Sequence, residues 1–186
     1  YVKIDSALDI AARDRGNSVY FPGRVVPMLP EVLSNELCSL KPEVDRLVMV
    51  VKVTLDSSAN MLSYEFNNAV IRSHQRFTYT RVASLLESQQ QHRYLPQLNN
   101  LYKLYQLLLA QREKRGALDF FTTETRIIFN AKGKIEKIVP TERNEAHRII
   151  EECMLVANVA AADFLLVNEI PSLFRNHGTP ESGKLE

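Results

Sequence analysis

The sequence predicts an α+β fold, a mixed and mainly antiparallel sheet packed by helices. Two segments dense in β-branched residues, RLVMVVKVTLD (46–56) and LSYEFNNAVIRS (62–73), flank a polar SSAN turn and read as an antiparallel hairpin. A second hairpin signal flanks AKGK, with extended segments 120–130 and 134–139 and Gly133 closing the turn. Two long segments, 96–114 and 141–168, repeat apolar side chains at helical spacing.

Taken in order, residues 5–15 carry Ala7, Leu8, Ile10 and Ala11 at helical spacing, with Asp5 or Ser6 as cap and Gly16 after the end. Residues 18–21 form a brief extended piece. Pro22, Pro27 and Pro30 then favour a fixed, extended path, and 31–40 permits one short helix before Pro42. After the first hairpin, 81–88 reads as a helix. Segment 96–114 places Leu101, Leu104, Tyr105, Leu108 and Leu109 on one face and stops near Gly116. The last long helix starts at Thr141 or Glu142, with Ala146, Ile149, Ile150, Cys153, Ala157, Ala160, Ala161 and Phe164 on one stripe. At about 100° per residue, Asn144, His147, Arg148, Glu151 and Asn158 gather on the opposite side. Residues 170–174 are a candidate strand, followed by a Gly/Pro/Ser-rich end. Nothing marks a domain boundary, so residues 1–186 are treated as one unit.

The 186 residues are 45% hydrophobic and 24% charged, the composition of an ordinary globular protein that needs neither disulfide nor metal to hold a core. Cys38 and Cys153 make no CxxC pair and are expected to be reduced, mostly buried thiols. No apolar run of about 18 residues occurs and the start lacks signal-peptide order, so no membrane partner is expected and the expected compartment is the cytoplasm. A net charge of +1 leaves any nucleic-acid site to local clustering.

Signatures such as a phosphate-cradling Gly loop, HExxH or GxSxG are absent. His74, His92, His147 and His177 are scattered, each better read alone as a surface or core histidine than as a ligand. Asp5, Asp9 and Asp14 read as a cap plus a solvated face. The one suggestive pattern sets aromatics beside arginines: Tyr20 and Phe21 before Arg24, and Phe77 and Tyr79 between Arg76 and Arg81. Single-stranded nucleic acid is gripped by aromatics that stack on bases and arginines that hold phosphates. By itself the pattern fits strand aromatics packing a core better.

Five runs, in order, carry a resemblance: RGNSVYFPGRVVPMLPEVLSNELCSLKPEVDRL (15–47), YEFNNAVIRSHQRFTYTRV (64–82), REKRGALDFFTTETRIIF (112–129), RNEAHRIIEECMLVANVAAADFL (143–165) and LFRNHGTP (173–180). They resemble the ribonuclease II/ribonuclease R family, the RNB domain, and are closer to its ribonuclease R branch. The resemblance implies processive, Mg2+-dependent hydrolysis of RNA from its 3′ end to nucleoside 5′-monophosphates. It also implies that four metal-holding aspartates lie a few dozen residues before Tyr1, so that no metal ligand is in this chain and the 186 residues alone are inactive. This makes the chain a partial RNB catalytic domain, with oligonucleotide-binding modules and further site residues outside it. The unpaired strand edges expected of such a piece would favour self-association.

Residue by residue, the resemblance gives Tyr20 the positioning of the terminal nucleotide and Tyr79 the grip on RNA and the final product length. Phe120 would stack at the 3′ end, with Phe121 as rival. Glu151 matches an RNA-contacting glutamate, suited to accept hydrogen bonds from ribose hydroxyls, with Arg148 one turn before it. An Arg and a Glu three apart on a helix can equally be a solvated pair. Departures are Glu36, where relatives often have glycine, and Asn17, where threonine is common. The expected partner is the 3′ end of single-stranded RNA. The alternative is a catalytically inactive RNA-binding or scaffold protein retaining the fold.

Overall fold

A computed structural model describes residues 1–117, 124–141 and 143–174, and every structural statement below concerns these. Helix α1 (Ala7–Arg15) starts at Ser6, whose hydroxyl accepts from the Asp9 backbone N–H, and ends at Gly16 in the left-handed conformation, φ 71°. Arg13 pairs with both Asp5 and Asp9, so those acids are spent on an ion pair at the surface.

Strands β1 (Val19–Phe21) and β2 (Arg24–Val26) form a tight hairpin with Tyr20 opposite Val25. The prolines predicted only an extended path there. Gly23 adopts φ 76°, a conformation that a side chain would resist, and this lets the path double back. The short helix expected over 31–40 is a single π-helical stretch, Val32–Leu37, which buries Leu33.

Strands β3 (Asp45–Leu55) and β4 (Met61–Arg72) pair antiparallel from Asp45↔Arg72 to Thr54↔Ser63. Their turn is closed by the Asp56 carboxylate, which accepts from the Ser58 and Asn60 backbone N–H groups, each at 2.8 Å. Helix α2 (Tyr79–Ser88) begins two residues earlier than its apolar pattern predicts, because Thr78 caps it. Helix α3 spans Leu95–Lys114. Strands β5 (Glu124–Phe129) and β6 (Ile135–Thr141) form the second predicted hairpin, and Thr141 belongs to β6 rather than to the helix after it. Helix α4 (Glu145–Val167) starts at a reciprocal cap made by Asn144 and His147.

All three ladders are antiparallel and two-stranded, with one isolated parallel bridge, Pro42↔Ser73. The architecture is α+β, with strands held in separate hairpins. The core lies where α2, α3 and α4 meet: Leu85 (1% exposed), Leu98, Tyr105, Leu108, Ala146, Ile149 and Ala160 are buried. The same helix α4 covers one half of a face of the β3–β4 hairpin. Phe66 packs edge-on against Phe164, ring centroids 5.4 Å apart, and the Tyr64 hydroxyl donates to Asp163 at 2.7 Å. The other half of that face, with Leu47, Met49 and Val70, is exposed and lines an open groove of about 600 Å³ together with Tyr1.

Two expectations are corrected. Residues 170–174 form no strand and pair with none of the described strands. Cys38 is exposed, not buried, at the end of the π-helical stretch; Cys153 is half-buried, both thiols are free, and burial pushes the Cys153 thiol up. No described helix is long and apolar enough to cross a membrane.

Candidate nucleic-acid interface

Tyr79 is the first residue of α2, fixed by the Thr78 cap behind it. Its ring stacks on that of His147, with centroids 3.9 Å apart and planes 22° from parallel. It still keeps 45% of its surface exposed. His147 stands at the third position of α4, where its Nδ1 lies 3.3 Å from the Asn144 backbone nitrogen and 2.8 Å from the Asn144 side-chain oxygen. The Asn144 side-chain oxygen in turn accepts from the backbone N–H groups of Ala146 and His147, at 3.1 and 3.3 Å. One turn further on, Glu151 pairs with Arg143, which reaches across from the segment before the helix. The start of α4 therefore brings together an aromatic platform, the Tyr79 ring of α2 stacked on His147, and a half-exposed carboxylate one turn along the same strip of α4.

Arg148 is placed differently. Its guanidinium turns toward α3 and hydrogen-bonds the Tyr105 hydroxyl, which holds its pKa above the usual arginine value; Glu145 lies 3.7 Å away. Burial pushes the Tyr105 phenol up despite that donor. Arg148 thus ties α4 to α3 beside the site. A second tie, absent from the sequence reading, is the ion pair of Arg112 on α3 with Glu152 on α4 at 2.8 Å. Glu152 is 4% exposed, and burial pushes its carboxyl above the ordinary range, an effect only partly offset by Arg112. Helix periodicity explains the split: Glu145, Arg148 and Glu152 share the strip facing α3, while His147 and Glu151 share the next one.

Tyr20 sits elsewhere. It is 77% exposed on β1, whose hairpin pairs with no other described strand. The turn of that hairpin approaches β5, where a Cβ added at Gly23 would meet Phe129 at 3.6 Å. Tyr20 and Tyr79 thus occupy separate elements, and the described contacts do not join them. Phe120 and Phe121 lie outside the described residues. Sequence reasoning left His147 among the scattered histidines; the available signal was the N-x-x-H spacing of a helix cap immediately before the apolar stripe. Among the described residues, no three His, Cys, Asp or Glu side chains converge as a metal site.

The comparisons with known proteins agree with one another. The model of the RNB domain matches residues 1–186. Ribonuclease R of Vibrio parahaemolyticus is 50% identical over an alignment that covers 100% of this chain and 23% of the relative. Ribonuclease R of Escherichia coli is 49% identical, covering 98% of this chain and 23% of its own length. The structure of Mycoplasma genitalium RNase R in complex with ribose methylated single-stranded RNA superposes with a TM-score of 0.91 at 36% identity, covering 100% of this chain and 30% of that one. The chain therefore spans about a quarter of the length of these curated relatives. With the full-length family match, this identity and this shared fold, the chain belongs to the RNB domain family.

Proposed function

We propose that this chain is part of the catalytic domain of a processive, Mg2+-dependent 3′→5′ exoribonuclease of the cytoplasm, which degrades RNA to nucleoside 5′-monophosphates. Its own residues grip and orient the 3′ end of single-stranded RNA. One observation carries the reading: a Tyr79 ring stacked on α4 and still accessible, one turn from the half-exposed Glu151 carboxylate. Tyr79 offers a base a stacking surface, Glu151 offers a ribose hydroxyl an acceptor, and Tyr20 on its hairpin positions the terminal nucleotide. The Mycoplasma genitalium relative, solved with single-stranded RNA, supports the choice of ligand.

The described residues do not fit a magnesium ion. The neighbouring acids Glu151 and Glu152 point apart, one to Arg143 and the other to Arg112. Binding and orientation are what this chain supplies, with the metal-holding aspartates in another part of the full-length enzyme. End-labelled single-stranded RNA incubated with magnesium and the 186-residue chain should therefore stay intact, whereas the full-length enzyme should release mononucleotides. Mononucleotide release by the 186 residues alone would overturn this division of labour. The two-stranded β3–β4 ladder, with free edges and a half-open apolar face, also supports self-association of the isolated chain. Sedimentation at rising concentration should reveal it, and a strict monomer would refute it.

A further inference from the structure

We infer that His147 is a positioning residue for Tyr79, holding the plane of the tyrosine ring against which a base stacks. The inference rests on the proposed role of Tyr79 in gripping RNA. Three contacts form a chain. Asn144 and His147 cap each other at the start of α4, so the imidazole is fixed on its own helix rather than swinging free. The His147 ring then lies on one face of Tyr79 at 3.9 Å and 22°. Behind both, Arg148 and Glu145 engage Tyr105 and lock the first turn of α4 to α3.

The identity of the capping residue is informative. A reciprocal cap needs a side-chain acceptor at the third helical position, a task usually met by Glu or Gln. Histidine meets both the backbone nitrogen and the side-chain oxygen of Asn144 through Nδ1 and adds a flat ring, which neither of those residues can do. Tyr79 occupies the first position of its helix, with fewer neighbours in its own chain to restrain its side chain than a residue in mid-helix has. A stacked neighbour of this kind restrains it, and the restraint is made before any base arrives.

The cap and the stack can be separated by substitution in the full-length enzyme. His147→Gln keeps an acceptor for the Asn144 N–H and removes the ring; His147→Phe keeps a ring and removes the acceptor. Expected for His147→Gln are an unchanged unfolding midpoint, a KM for single-stranded RNA raised about two- to tenfold, kcat near wild type, and the same shift in final product length that Tyr79→Ala produces. Expected for His147→Phe are a lowered midpoint with KM and product length close to wild type. In a Tyr79→Ala background His147→Gln should add nothing to KM. Wild-type KM and product length for His147→Gln, or effects of the two variants that multiply, would overturn the inference while leaving the role of Tyr79 intact. A Tyr79→Ala enzyme with unaltered KM and product length would overturn that role, and the inference with it.

Discussion

The three-helix cluster and the long β3–β4 hairpin are about equally rich in apolar residues but use them to different ends. In the cluster, Leu85, Leu98, Leu108 and Ile149 are enclosed on all sides, and the polar groups that enter are paired, Arg112 with Glu152 and Tyr105 with Arg148. The hairpin has a full antiparallel ladder, yet one half of its apolar face rests on α4 and the other half, Leu47, Met49 and Val70, is open. Backbone pairing alone therefore does not complete a core; a covering layer does. The hairpin is a half-finished sandwich and the cluster a finished one.

The largest effect that would break this contrast lies in the cluster. Glu152→Ala should cost about 3–5 kcal/mol in equilibrium unfolding, because it strands the mostly buried Arg112 guanidinium. Replacing Arg112 and Glu152 together by leucine should cost less than Glu152→Ala alone. A smaller cost for the single change would mean that water reaches the pair. Next, Leu85→Ala should lose about 2–5 kcal/mol, whereas Met49→Ala, at a residue 74% exposed, should stay within about 0.5 kcal/mol. Equal losses would show that the open face is covered in solution, as self-association would cause.

At the candidate site on the first turns of α4, Glu151→Gln should weaken RNA binding less than Glu151→Ala, since an amide oxygen still accepts from a ribose hydroxyl. A strand with a 2′-deoxy end should blunt the difference between the variants. Equal effects on both strands would remove the ribose contact.

The smallest effect is a difference of sign with pH. Burial raises the Glu152 pKa above its ordinary 4.5, so the folded state holds this proton more tightly than the unfolded state does. Its contribution to stability is full below 4.5 and is lost as pH rises through the folded pKa. In the hairpin, the Arg72 guanidinium holds Asp45 below its ordinary 3.8. That contribution is present above 3.8 and is lost as pH falls. Subtracting the unfolding midpoints of Glu152→Gln and Asp45→Asn from wild type across this acid range should give slopes of opposite sign, the Asp45 one being small because the pair is exposed.

Much of the fold was legible from local chemistry. The β-branched run before SSAN, the AKGK turn and the apolar stripe of α4 each declared an element, because period and turn residues are local properties. The β1–β2 hairpin was not legible, since three prolines argued for a straight path, whereas the chain reverses with Gly23 in the left-handed conformation. Residues 170–174 hold three large apolar residues, but a strand needs an edge to pair with and their sequence carries no information about one. For the candidate site, the family motifs single out Tyr79 and Glu151 as candidates. What the motifs did not give was who holds them. The partnerships of Tyr79 with His147 and of Arg112 with Glu152 join residues far apart in sequence, and Arg148 looked like a companion of Glu151 until its side chain was seen turned to Tyr105.

Because His147 and Glu151 stand one helical turn apart on α4, their axial separation is about 6 Å and cannot be altered without melting a helix whose first turn is capped at one end and bolted to α3 along its side. Two contacts set on such a rod behave as graduations on a gauge. A flexible strand held at once by the Tyr79 ring seated on His147 and by Glu151 would have to conform to the spacing, so that the rod, and not the strand, would decide how many units lie between them.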